Sequence, residues 1–259
     1  MSLPKPEIII IPGSFAPLKY YDPVVADFKA HGYSVHGVEL ETVGRRDTAA
    51  PGMYDDAAAI AALTSRLADE GKDVVLVPHS YGGVPTCESA KGLAKSVREK
   101  EGKTGGIVRI VFVSALVPKE GESSKDTGGS DMVIDYVGLE GEYMYLTDPV
   151  RFAEVNLSDL SPEEGLPWAK KLIQNQHLAI SFVQPLTYAA YKDIPASWVF
   201  LEQDKCISPK LQNQMIANME TVMGGRKVER FPVDAGHCVN ISQPAGLSKA
   251  VRKALGDAV

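Results

Sequence analysis

Ser80 stands in Val77-Pro78-His79-Ser80-Tyr81-Gly82-Gly83, directly after the apolar run Val74 to Val77. A serine hydroxyl is a weak nucleophile at neutral pH. It attacks a carbonyl only when a neighbouring base takes its proton and a sharp turn presents it to substrate. A strand that runs into a glycine-flanked serine and then a helix supplies such a turn, and Gly82 and Gly83 permit the close packing it needs. The same serine could also simply cap the following helix. The base for such a nucleophile is expected on a late loop, where Asp234-Ala235-Gly236-His237-Cys238 follows Lys227 to Phe231. Of the five histidines His237 is best placed: His31 precedes a helix-stopping glycine, His36 lies in a strand, His177 falls in an irregular region and His79 adjoins the serine. The acid that orients the base belongs on the loop after the preceding strand, which selects Asp204 in Leu201-Glu202-Gln203-Asp204-Lys205, with Glu202 and Asp234 as rivals.

The negative charge that builds on an attacked carbonyl oxygen needs preorganised backbone donors, one from the residue after the nucleophile and one from an early loop. Tyr81 and Ser14 occupy those positions. Cys206 and Cys238 flank the acid and the base, either as small buried residues or as a second nucleophile.

These residues must be delivered by strands. Ile8 to Ile11, Val74 to Val77, Ile107 to Val113 and Trp198 to Leu201 read as buried strands, with Tyr33 to Val38 and Lys227 to Phe231 as two more. Helical spacing predicts helices over Pro23 to Ala30, Asp55 to Ala68, Gly82 to Lys100, Pro209 to Met223 and Gln243 to Leu255, with Asp55 and Asp56 as capping carboxylates of the second. Strands alternating with helices imply an α/β fold whose mostly parallel sheet is covered on both faces, with the active site at the strands' C-terminal ends. The alternation fails between about Pro118 and Pro195, where no convincing buried strand is visible. The expected organisation is therefore a core of 1–117 and 196–259 interrupted by a mainly helical cap over 118–195, entered through a loosely ordered Gly121 to Asp131.

Five blocks carry a resemblance: Ile10-Ile11-Pro12-Gly13-Ser14, the Ser80 block, Phe112-Val113-Ser114-Ala115-Leu116-Val117-Pro118, Gln203-Asp204-Lys205-Cys206-Ile207-Ser208-Pro209 and Gly236-His237-Cys238. Together they resemble the α/β-hydrolase superfamily and, more narrowly, its plant-type methylesterase and hydroxynitrile lyase branch with its microbial relatives. The chain departs from that pattern at Pro12, where the branch has His-Gly, and at Pro78, where the elbow has its first glycine. The resemblance implies ester hydrolysis through an acyl-enzyme without a cofactor. Lyase members carry a lysine directly after the catalytic histidine; the position here is Cys238, which disfavours cyanide chemistry. A lyase or cyclase acting through a general base, and a small-molecule receptor with little turnover, remain alternatives.

With 259 residues, 44% hydrophobic and 23% charged, the chain suits one large domain with an insertion. A formal net charge of −6 argues against nucleic acid as a partner. Ile8 to Ile11 is too short for a membrane span or a signal-peptide core, and three scattered cysteines form no disulfide framework or zinc pattern. A cytoplasmic protein with no metal is expected, with a homodimer left open. Phe15, Tyr145, Trp168, Phe182 and Cys238 are the expected substrate contacts, and Tyr136, Tyr143, Met144, Phe152 and Tyr188 are further cap residues able to line an apolar pocket. A small neutral ester or lactone is the expected substrate.

Overall fold

β-branched residues fit a pleated surface buried on both sides, and β1 (Glu7–Ile11) has the side chains of Ile8 to Ile11 almost wholly buried. The computed structural model describes residues 4–45 and 50–258 of the chain. Five further strands join β1 in one sheet: β2 (Val35–Gly37), β3 (Asp73–Pro78), β4 (Gly106–Val113), β8 (Ala196–Leu201) and β9 (Glu229–Val233). The order is β2-β1-β3-β4-β8-β9 and every neighbouring pair is parallel.

Alternation along these strands sends neighbouring residues to opposite faces. Ile8, Ile10, Val75 and Val77 pack with Val24 and Phe28 of α1 (Asp22–Ala30) and with Leu247 and Val251 of α10 (Pro244–Ala254), which the short α9 (Val239–Ser242) precedes. Ile9, Ile11 and Leu76 pack instead with Ile60 of α2 (Met53–Asp69), Val84 of α3 (Gly83–Ser89) and Met215 of α8 (Pro209–Val222). Each such side chain contributes roughly 1.5–3 kcal/mol by leaving water. Two faces with one sheet between them explain why the strands read as unbroken apolar runs.

The helix expected over Gly82 to Lys100 is in fact two, α3 and α4 (Lys95–Lys100). Gly92 takes a left-handed φ of 76°, and the segment after it turns so that the Leu93 carbonyl accepts from the Ile107 N–H and Ala94 bridges to Ile107. At the sheet's edge β2 is shorter than Tyr33 to Val38, because Tyr33 leaves the ladder to pack on Phe28. Strand β9 lies two residues later than Lys227 to Phe231 at both ends.

Residues between β4 and β8 hold α5 (Ser124–Gly128), α6 (Pro149–Asn156), α7 (Pro162–Leu172) and, besides these helices, a three-stranded antiparallel sheet of β5 (Val137–Glu140), β6 (Tyr143–Leu146) and β7 (Gln176–Leu178). Its strands are only three or four residues long, and β5 and β6 are mostly half-buried or exposed, so they do not stand out as buried strands. The expectation of a loosely ordered Gly121 to Asp131 is corrected by α5. The Ser123 hydroxyl accepts from the Asp126 N–H, and the Asp126 carboxylate accepts in return from the Ser123 N–H at 2.9 Å. The small sheet is tied to the loop after β2, where the Leu178 N–H donates to the Thr42 carbonyl and the Gly44 N–H to the Gln176 carbonyl. Among the described residues no helix is long and apolar enough to cross a membrane.

Candidate active site

At the end of β3 the chain turns so sharply that Ser80 adopts a φ of 54°, a conformation that non-glycine residues rarely take and that costs about 1–3 kcal/mol. Its surroundings hold it there. The His79 N–H donates to the Ile11 carbonyl, and the Leu116 N–H to the Ser80 carbonyl. The two glycines are required by space rather than by φ. A β-carbon on Gly82 would lie 2.5 Å from the Pro12 carbonyl oxygen, and one on Gly83 2.4 Å from that of Leu116. Gly13 passes so close to the nucleophile that a β-carbon there would sit 2.9 Å from the Ser80 Cβ. Pro78 fits because it closes the extended strand β3 opposite Ile11.

Facing Ser80 is His237, on the loop after β9. Its Nε2 lies 2.9 Å from Ser80 Oγ and its Nδ1 2.7 Å from Asp204 Oδ2. A carboxylate accepts only, so Nδ1 carries the proton and Nε2 is free to accept from the serine hydroxyl. Asp204 is buried and saturated: Oδ1 accepts from the N–H groups of Cys206 and Ile207 at 2.8 and 2.9 Å, and Oδ2 also accepts from the Ser114 hydroxyl at 2.7 Å. The rivals do not reach the site: Glu202 and Asp234 are exposed, and Asp234 is bonded to the Gln203 side chain. Ser, His and Asp from three distant loops thus meet in one hydrogen-bonded row at the C-terminal edge of the sheet.

A model of the alpha/beta hydrolase family matches residues 8–250. The chain belongs to that family. A probable hydrolase, R7, of a Phoma species is 34% identical over 97% of this chain and 99% of its own length. The alpha/beta hydrolase nvfD of Aspergillus novofumigatus is 26% identical, with 98% of each chain covered. Among solved structures, the fold is shared with a pyrethroid hydrolase from Sphingobium faniae at a TM-score of 0.75, 19% identity and 98% coverage of both chains. Tomato methylketone synthase I, complexed with 2-tridecanone, superposes at 0.74 with 18% identity over 98% of this chain and 99% of its own. Polyneuridine aldehyde esterase does so at 0.72 with 19% identity over 98% of this chain and 100% of its own. These neighbours share the fold of the chain.

In this α/β-hydrolase a second histidine ties the loops together. The buried His79 donates from Nε2 to the His237 carbonyl at 2.9 Å and accepts at Nδ1 from the Tyr21 hydroxyl at 2.7 Å, while Tyr21 Oη accepts from the Gly13 N–H. Burial, with His237 beside it, pushes the His79 imidazole down to about 3, so it stays neutral and keeps this tautomer. The loops after β1, β3 and β9 are fixed to one another by this relay. Behind the elbow, Asp56 accepts from the Thr42 N–H and hydroxyl and from the Tyr81 hydroxyl at 2.7–3.0 Å. Only Asp55 caps α2, by accepting from the Gly52 N–H; Asp56 turns inward, and burial pushes its carboxyl up to about 6.

Above Ser80 opens a cavity of about 100 Å³, lined by Ser14, Tyr81, Phe15, Phe182 and Cys238 as expected, and by Tyr136, Met144 and Phe152. Two expected contacts are corrected. Tyr145 stands beside Gly138 on the opposite side of β6 from Met144, because strand side chains alternate. Trp168 lies in an outer groove with Lys19, edge-on to Tyr20. Tyr143 and Tyr188 also fall outside the cavity, the latter bonded to Asp193. Sequence reasoning missed Ser114, Tyr21, His79 and Asp56; a serine within Val111 to Val117 was the only visible signal. Burial pushes the Cys206 thiol up to about 12 and raises that of Cys238 as well, so neither is a thiolate at neutral pH.

Proposed function

We propose that this protein is a serine-dependent hydrolase of carboxylic esters or lactones, apolar or aromatic in character and of modest size. The observation that carries this reading is the row Asp204–His237–Ser80, bonded at 2.7 and 2.9 Å and opening into an apolar cavity. The proton on Nδ1 is fixed by Asp204, so Nε2 takes the Ser80 proton as Oγ attacks the carbonyl carbon. Backbone N–H groups of Ser14 and Tyr81 receive the oxyanion; Tyr81 lies in the first turn of a short helix, where N–H groups have no intrahelical acceptor. His237 returns the proton to the leaving oxygen, and the alcohol departs or, from a lactone, stays tethered. Water then attacks the acyl group on Ser80 and gives its proton to His237, freeing the acid and restoring the serine. The residues between β4 and β8 act as the cap that selects substrate. Structural neighbours named as a pyrethroid hydrolase and polyneuridine aldehyde esterase are consistent with this chemistry.

The test is an esterase screen over p-nitrophenyl, methyl-ester and lactone substrates, with fluorophosphonate labelling of wild type and of Ser80→Ala. Turnover and labelling that both vanish in the variant are expected. Tight reversible ligand binding unaffected by the substitution would instead make the protein a receptor, and turnover without a trappable acyl-Ser80 would make it a general-base lyase or cyclase.

A further inference from the structure

Tyr136 is the one phenol that the inserted segment brings into the cavity wall, and its side chain is only 3% exposed. Its hydroxyl lies 3.3 Å from Asn156 Oδ1 and 3.6 Å from Cys206 Sγ. One proton serves one of these at a time, and both separations are long for a hydroxyl, whose hydrogen bonds are commonest near about 2.7–2.8 Å. The orientation of Asn156 is settled by its own helix: Nδ2 donates to the Phe152 carbonyl, so Oδ1 must face Tyr136. The phenol ring is held edge-on against Phe152 at 5.4 Å between centroids. A hydroxyl is therefore fixed in place with its one proton held only in long hydrogen bonds. Around it the cavity is formed by Phe15, Met132, Met144 and Phe182. A buried polar group with such poor partners destabilises the empty cavity by an amount that a well-placed ligand oxygen would recover.

We propose that Tyr136, oriented by Asn156, is the specificity-determining contact of this cavity, and that the preferred substrate carries a second oxygen function on its leaving-group side. This inference rests on the hydrolytic reading given above. The side is set by the wiring. His237 must hand its proton to the leaving oxygen, so the leaving group lies against the imidazole. The Tyr136 cluster is anchored on that side: the Cys238 N–H donates to the Asn156 carbonyl at 2.7 Å, and Cys206 follows Asp204 on a loop bonded to the same carboxylate. An ether, carbonyl or hydroxyl oxygen on the leaving group takes the Tyr136 proton at a normal length, where an alkyl chain leaves it to the long bonds with Asn156 and Cys206. Burial holds the phenol protonated and a donor throughout the ordinary pH range.

Matched esters of one acid, 2-methoxyethyl against n-butyl and 4-methoxybenzyl against 4-ethylbenzyl, test this at constant shape. Their kcat/KM ratio is measured in wild type, Tyr136→Phe and Asn156→Leu, with fluorophosphonate labelling and thermal melts confirming a folded, competent Ser80. Wild type should favour the ether, and the ratio should fall about five- to tenfold in both variants, the worth of one hydrogen bond. An equal ratio in wild type and a folded, labelled variant overturns the role of Tyr136. Absence of both labelling and turnover in wild type overturns the hydrolytic reading and, with it, this inference.

Discussion

Two parts of the molecule meet at Ser80, and they are built differently. The loops at the ends of the parallel strands present polar groups that are buried and bonded to one another: Asp204 accepts from four donors, and the His79 relay closes three loops onto one another. The segment between β4 and β8 presents apolar side chains from a small antiparallel sheet whose other face is wetter, with Glu140 exposed and Tyr143 and Tyr145 half-buried. On the proposed hydrolytic reading, chemistry rests on the part that cannot move without breaking many bonds, and substrate choice on the part that can change a side chain at little cost. A sheet covered on both faces holds reacting atoms to the few tenths of an ångström that proton transfer requires.

The largest test of that contrast is Ser80→Ala, which should lower kcat about 10⁵–10⁶-fold, with Asp204→Asn about 10⁴-fold, both read by steady-state kinetics on any accepted ester. Next comes a pair of glycines with similar nominal overlap. In Gly82→Ala the new carbon meets the Pro12 carbonyl at 2.5 Å, whereas in Gly138→Ala it meets the Thr147 methyl and the Tyr145 ring at 2.8 Å. Backbone cannot yield and side chains can. Gly82→Ala should therefore lower kcat/KM at least about 100-fold and stability by about 1–3 kcal/mol, and Gly138→Ala should change neither by more than a small fraction of this. Comparable losses from both would erase the distinction between the two regions.

Asp56 sharpens it from the side of pH. Its carboxyl is raised from the ordinary 3.8 to about 6, so the folded state holds the proton more tightly than the unfolded chain. The stability this contributes is fully present below about pH 4 and is lost as pH rises through about 6. At about 1.4 kcal/mol per unit, the wild type should lose about 3 kcal/mol relative to Asp56→Asn between about pH 4 and pH 8 in denaturant titrations. A pH-independent difference would mean that Asp56 is ionised throughout. Smallest is Ser114→Ala, which removes one of the two hydrogen bonds on Asp204 Oδ2 and should lower kcat about tenfold with little change in KM, read across a pH series.

Much of the strand-end machinery was legible because its logic is local. An apolar run marks a strand, and the loop after that strand must lie at the sheet's edge, so Ser80, Asp204 and His237 could be picked one loop at a time. The walls of the cavity were not legible in this way. Tyr145 and Met144 are neighbours of similar promise, and only the register of β6 against β5 and β7 decides that Met144 faces the cavity. Trp168, apolar and within the insertion, ends in an outer groove because α7 turns it toward Tyr20. The Gly121 to Asp131 segment misled through composition, since its abundance of Ser and Gly hid the capping pair Ser123 and Asp126.

By itself, then, the sequence determined which residues could do the chemistry and which loops carry them, because hydrophobic periodicity and chain order are properties of a strand and its immediate neighbours. Only the tertiary structure decided how the polar groups pair. Asp55 and Asp56 are chemically alike and adjacent, yet one caps a helix and the other is buried against Thr42 and Tyr81. Ser114 and Tyr21 join the site through partners 90 and 58 residues away. Such pairings depend on distance in space and on the loss of water, and neither is written in the order of the residues.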